Sequence, residues 1–119
     1  MRVNTKITLN PGTPVNIAVA LGQQPHTMAN RVFIQMAAGG TGLGYVMGGI
    51  YGGRTPATTN GGDVSAELGA SPSATNPGGS WSDPDSAIEF SLAPAVDLTT
   101  IWVDGTAADP VRVSADLNV

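Results

Sequence analysis

The first candidate for chemistry is the glycine-rich stretch GGTGLGYVMGG, residues 39–49. A phosphate-binding P-loop needs the pattern GxxxxGK[ST], and no lysine follows these glycines. The dinucleotide fingerprint also fails, because Tyr45 stands where its third glycine should be. Polar turn residues flank the stretch, which excludes the apolar helix that a GxxxG packing motif requires. The sequence therefore predicts a short strand over 43–47 between turns at 39–42 and 48–49, and no nucleotide cofactor.

The titratable residues form no complete catalytic or metal-binding set. His26 is the one histidine, it lies in the loop sequence GQQPHTM, and the chain has no cysteine. We expect it to contact solvent or a neighbouring residue rather than a metal or a serine nucleophile. Asp83 and Asp85 flank a proline in SDPDS, which favours a turn over a calcium site. Nothing specifies a second carboxylate beside Glu89, as a glycosidase would need. We expect no enzymatic activity, no metal and no cofactor.

Two tryptophans are candidates for contact with a partner. Trp81 stands in the polar loop sequence GGSWSDP, where it would either cover an edge of its own domain or anchor a partner. Trp102 lies between Ile101 and Val103, and alternation along a strand turns it away from both, so one of these two faces is expected to be a contact surface. The predicted interface residues are Val3, Lys6, Tyr51, Arg54, Trp81, Asp83 and Trp102.

Length and charge narrow the class of protein. The 119 residues predict a single domain, 1–119. Only 12% of the residues are charged, which indicates a surface that is neutral and polar or covered by partners. The net charge is −4 with five scattered basic residues, so no nucleic-acid partner is expected. The start, MRVNTKITL, lacks the apolar core of a signal peptide, and no apolar run could span a bilayer, so we expect no membrane partner and synthesis in the cytosol.

The dominant period of the sequence is two, and about seven short strands are predicted. The turn residues NPGT at 10–13 predict a strand–turn–strand unit, and DGTAADP at 104–110 predicts a hairpin between the last two strands. No helix is expected. The fold class is all-β, a small β-sandwich or jelly-roll-like domain with a long, ordered Gly/Pro/Ser-rich loop at 52–85, in which DVSAEL could form short regular structure. The predicted strands are 3–9, 15–21, 31–37, 43–47, 87–93, 99–103 and 111–117.

Four stretches, RVFIQM, GYVMGG, DLTTIWVDG and VRVS, resemble small β-rich virion structural proteins of tailed bacteriophages. The resemblance covers roughly residues 3–51 and 86–115. It rests on Ile34-Gln35, on Tyr45-Val46 and on the segment from Asp97-Leu98 to Asp104-Gly105. It implies a capsid decoration (cement) protein or another virion accessory protein, commonly a homotrimer, without enzymatic activity.

Two functions are therefore expected as alternatives. The first is a capsid decoration protein that binds between capsomers, stabilises the head, and has the major capsid protein and further copies of itself as partners. It would be made in the host cytoplasm and located on the capsid surface of the virion. The second is a carbohydrate- or receptor-binding β-sandwich module of a phage tail or head fibre. In that module Trp81, Tyr51 and the acidic loop would form a platform for the sugar.

Overall fold

The computed structural model describes residues 1–37, 42–50, 54–57, 63–68, 87–90 and 95–118. Three predicted interface residues, Tyr51, Trp81 and Asp83, lie outside these ranges, as does most of the 52–85 loop. The described strands are β1 (Arg2–Thr8), β2 (Val15–Asn16), β3 (Met28–Met36), β4 (Gly44–Met47), β5 (Ala66–Glu67), β6 (Ala87–Phe90), β7 (Val96–Asp97), β8 (Trp102–Gly105) and β9 (Pro110–Leu117). A short helix, α1 (Ile17–Ala20), and a 3-10 turn (Leu98–Thr100) complete the described elements.

The strands form two antiparallel sheets. The first has the order β1–β9–β3–β6, with β7 also paired to β3, and the second has the order β2–β8–β4–β5. Every pair of neighbouring strands is antiparallel. The prediction of an all-β fold is confirmed, while the jelly-roll connectivity stays a prediction.

One hydrophobic core joins the two sheets. Alternate residues of the long strands point into it, as the period of two predicted for β3 and β9. Burying these aliphatic side chains supplies the main stabilising term of the domain. Core side chains from both sheets are Val32, Ile34, Val46, Val103, Val111, Val113 and Ala115, and Ile17 and Leu98 pack among them.

The predicted strand over 15–21 is wrong beyond its second residue. The Asn16 side chain accepts a hydrogen bond from the Ala18 amide at 3.0 Å and thereby caps the helix α1. Ile17, Ala18 and Leu21 are buried, whereas Val19 is 75% exposed. Apolar residues at positions 15, 17, 19 and 21 fit the period of a strand, but the apolar residues at positions 17, 18 and 21 fit one face of a helical turn equally well. The capping side chain and burial in the core decided between the two.

Both predicted chain reversals exist, but neither joins neighbouring strands of one sheet. At NPGT the Thr13 amide donates to the Asn10 carbonyl at 2.9 Å, and Gly12 has a φ of 84°. However, β1 pairs with β9 in the first sheet, and β2 pairs with β8 in the second. The predicted hairpin over 99–117 is wrong for the same reason, since β8 and β9 belong to different sheets. The two connections between the sheets, from β1 to β2 and from β8 to β9, are joined by a hydrogen bond from the Leu9 amide to the Asp109 carbonyl at 2.9 Å.

The glycine-rich stretch contains a strand, as predicted, and Gly44 in this strand permits close packing. Gly44 in β4 lies opposite Gly105 in β8. A Cβ atom on Gly44 would come within 2.6 Å of Leu68 Cδ1 and 2.9 Å of Met36 Sδ. Gly49 has a φ of 72°, in the left-handed region that favours glycine. The stretch therefore serves packing and chain reversal.

Candidate interaction surface

Four of the five basic residues of the chain lie on one side of the first sheet. In β1 the even-numbered side chains are exposed, and Val3 and Ile7 pack against the core on the other side. The register places Lys6 opposite Arg112, and it places Arg2 and Arg31 on either side of Asp116. We call the outward side of β1, β9 and β3 the cationic face, with charged residues Arg2, Lys6, Arg31, Arg112 and Asp116.

The charge of the cationic face opposes that of the whole chain. Four cations and one carboxylate give these three strands a formal charge of +3 on this side. Because the chain carries −4 in total, the remaining residues carry −7. The outward side of these three strands therefore carries net positive charge, which attracts acidic groups.

One corner of the cationic face is neutralised internally. The Arg2 guanidinium donates two hydrogen bonds to Asp116, at 2.7 Å and 2.9 Å. It also lies 5.7 Å from the centre of the Phe33 ring. The hydrogen bond from Arg2 lowers the pKa of Asp116, slight burial opposes the decrease, and the charge of Arg31 adds to it. This corner is a preformed ion pair.

Lys6 and Arg112 form the opposite case, a like-charge pair. Among the described residues neither has a carboxylate partner. The Leu117 amide donates to the Met1 carbonyl at 2.8 Å and the Leu9 amide to the Asp109 carbonyl, so odd-numbered residues of β1 turn their backbone groups toward β9. Lys6 and Arg112 are therefore a non-hydrogen-bonded pair, in which cross-strand side chains approach most closely. Like charges in that position destabilise a sheet.

An open cleft lies beside this pair. Its volume is about 400 Å³. The cleft is bordered by three consecutive residues of β1 and by two residues of β9. Its lining residues are Asn4, Thr5, Lys6, Arg112 and Val113. An anionic group in the cleft would lie between two cationic side chains and would relieve their repulsion.

His26 forms a hydrogen-bonded cluster elsewhere on the surface. Its Nδ1 lies 2.9 Å from an Asp97 carboxylate oxygen and 3.2 Å from the Thr99 hydroxyl. Burial raises the pKa of Asp97, but hydrogen bonds from His26 and Thr99 lower it further, so the net change is a decrease. In a Ser–His–Asp triad the hydroxyl and the carboxylate contact different ring nitrogens. Here both contact Nδ1, so the cluster joins the loop to the 3-10 turn and lacks the triad arrangement.

Arg54, a predicted interface residue, forms an ion pair with Asp63 that holds a segment of the loop. It donates to both carboxylate oxygens of Asp63, at 2.7 Å and 2.8 Å. Asp63 also accepts from the Ala57 amide at 2.8 Å. The hydrogen bonds from Arg54 and Ala57 lower the pKa of Asp63 strongly. The Leu68 amide then donates to the Gly44 carbonyl at 3.0 Å, which fixes this part of the loop against β4.

The remaining predicted interface residues lie apart. Lys6 is exposed on the cationic face, whereas Val3 is half-buried on the opposite side of β1. Trp102 is half-buried in the second sheet, and its neighbours Ile101 and Val103 are buried, in agreement with the predicted alternation. The Trp102 Nε1 atom is buried and has no hydrogen-bond partner in the described structure.

Sequence reasoning missed Arg2, Arg31 and Arg112, which it treated as scattered charges. The sequence did contain a signal for two of the four basic residues, because residues 2 and 6 lie on the same side of an alternating strand. The rest depends on the pairing of the first strand with the last and of the last with β3.

Comparisons of the chain with protein-family models, with curated proteins and with solved structures gave no match. In the described ranges no helix is long and apolar enough to cross a membrane. Nor does that part of the chain bring together three His, Cys, Asp or Glu side chains that could hold a metal ion. The resemblance to phage structural proteins rests on the sequence motifs alone.

Proposed function

We propose that the chain is a non-enzymatic virion structural protein of the capsid-decoration type, which attaches to the major capsid protein through its cationic face. The observation that supports this proposal most directly is the charge asymmetry, +3 on the cationic face against −7 on the remaining residues. The sequence resemblance supplies the class of protein. In this proposal the protein acts on the capsid surface, as a homotrimer.

The asymmetry would orient the protein on an acidic surface. Complementary charge speeds encounter and sets the register of an interface. Exposed carboxylates elsewhere in the described structure, such as that of Glu67, would be repelled by the same surface. Three of the four cations are arginines, whose planar guanidinium groups suit two-point hydrogen bonding to carboxylates. A stable contact needs on the order of 1,000 Å² of buried surface. On this side of the sheet β1 and the exposed residues Arg31 and Arg112 can contribute to that area, whereas Gln35 and Ser114 are already buried.

The experiment is co-sedimentation of the purified chain with expanded phage capsids, followed by heating of the decorated particles. We expect saturable binding that weakens at high salt, and capsids that withstand a higher temperature when decorated. The double variant Arg31→Glu/Arg112→Glu should lose binding. The matched control is Val19→Glu/Gln24→Glu, which adds negative charge at exposed positions outside the cationic face.

Absence of capsid binding by the wild-type chain would refute the proposal. Light scattering provides a separate check on the trimer, and a monomer at all concentrations would contradict that part. The carbohydrate-binding alternative stays a prediction, because Tyr51 and Trp81 lie outside the described residues. Glycan binding that is lost in Trp81→Ala, without affinity for capsids, would favour that alternative.

A further inference from the structure

The exposed edge of β1 has backbone groups directed away from its own sheet. Among the described strands β1 is paired on one side only, with β9. Because odd-numbered residues direct their N–H and C=O groups toward β9, the even-numbered residues direct theirs to the open side. These residues are Arg2, Asn4, Lys6 and Thr8. An edge of this length is a template for an added strand.

We propose that this edge binds an extended acidic segment of a partner protein, which adds as a further strand beside β1 and places a carboxylate at the Lys6–Arg112 pair. This inference rests on the proposed function and specifies the part of the partner that is recognised. A residue of the added strand would lie directly opposite Lys6, and the cleft beside Lys6 has room for a glutamate or aspartate side chain. The carboxylate would compensate a like-charge pair that otherwise destabilises the sheet.

The charges of β1 argue against a second copy of the same strand as the occupant. Antiparallel pairing of two β1 strands centred on Asn4 would place Arg2 of one copy opposite Lys6 of the other. Cationic side chains on an edge strand are a common means of preventing such self-pairing. The same charges favour a strand that carries carboxylates on alternate residues, because side chains on one side of a strand recur every second position.

The open edge also favours a peptide over a nucleic acid. Each outward residue of β1 offers one N–H donor and one C=O acceptor, which match the acceptor and donor of another peptide strand. A phosphodiester backbone would supply acceptors for the N–H groups but no donors for the carbonyl groups. The cationic pair sets the preference for acidic residues, and the backbone edge sets the preference for an extended peptide.

The test uses the full chain and an eight-residue peptide of alternating glutamate and threonine, labelled for fluorescence anisotropy. Three probes serve as controls: the same peptide with lysine in place of glutamate, the acidic peptide methylated on alternate backbone nitrogens, and oligo-dT. We expect binding of the acidic peptide alone, and a loss of at least about tenfold in affinity for Lys6→Glu, as for the loss of a charge-assisted contact. Lys6→Arg should retain binding.

Amide hydrogen exchange supplies a second, structural readout. When the acidic peptide binds, the amides of Asn4, Lys6 and Thr8 should become protected, while those of Thr5 and Ile7 already are. Lys6→Glu should fold normally, because it replaces a like-charge pair with an opposite-charge pair. Equal binding of the methylated peptide, binding of oligo-dT in place of the peptide, or unchanged exchange at the even-numbered amides would each overturn the inference.

The failure of this inference can be separated from the failure of the proposed function. If wild type and Lys6→Glu bind capsids equally well and neither binds the peptide, attachment holds and strand addition is refuted. If neither protein binds capsids, the proposed function fails.

Discussion

Replacing Gly105 with alanine should destabilise the domain, because the added Cβ has no space on either side. The Cβ would lie 2.6 Å from Leu9 Cδ1 and 2.7 Å from the Leu43 carbonyl oxygen. Leu9 is fully buried, and the Leu43 carbonyl accepts a hydrogen bond from the Thr106 amide at 3.0 Å. Relief of the overlap would therefore move a core side chain and strain a backbone hydrogen bond. Overpacking of this kind costs about 1–3 kcal/mol.

The matched comparison is Gly44→Ala, directly across the strand pair from Gly105. Its Cβ would meet side-chain atoms only, Leu68 Cδ1 and Cβ and Met36 Sδ, whereas the Cβ of Gly105→Ala would meet a backbone carbonyl, so we expect a smaller loss of stability than for Gly105→Ala. Urea titration followed by circular dichroism gives both values, and the slope of each transition shows whether the change lies in stability alone. A Gly105→Ala protein as stable as wild type, or less affected than Gly44→Ala, would refute the reasoning.

Three further predictions concern stability. Asn16→Ala should lower the free energy of unfolding by about 0.5–2 kcal/mol through loss of the helix cap, with partial recovery in Asn16→Ser, as measured by urea titration. Ile34→Ala, at a fully buried position, should cost about 2–5 kcal/mol by the same assay, whereas Val19→Ala should stay within about 0.5 kcal/mol. The folded-state pKa of Asp97 and of Asp116 is lowered. Their contribution to the free energy of unfolding is therefore complete above the ordinary carboxyl pKa of about 4, and it is lost as the pH falls through the lower folded-state pKa. The urea concentration at the midpoint of unfolding should therefore decrease as the pH is lowered below about 4. The decrease should be less steep in Asp116→Asn than in wild type, and parallel pH dependences of the two proteins would contradict the assignment.

The long alternating segments were predictable because the side-chain period of a β-strand is also the period at which their apolar residues are buried in the core. The segments 3–9, 31–37 and 111–117 correspond closely to β1, β3 and β9. The segment 15–21 failed because its apolar residues fit a strand and a helical turn at once. The cap at Asn16 and the space in the core, neither of which is a periodic property, selected the helix.

The candidate interaction surface was less predictable than the strands. Lys6 was predicted from its place on β1, but Arg112 lies more than a hundred residues away in the chain. Their proximity follows from the pairing of the first strand with the last. Local patterns specify which residues share a side of one strand, and they carry no information about which strand lies beside it.

The sequence by itself determined the all-β class, the positions of the long strands and the chain reversals, because these depend on side-chain period and turn chemistry within a few residues. Only the tertiary structure decided that both reversals cross between sheets, that Gly44 faces Gly105, and that four distant cations share one side. The physical reason is that strand pairing is selected by burial of the whole core, to which every strand contributes, so no single segment specifies its neighbour.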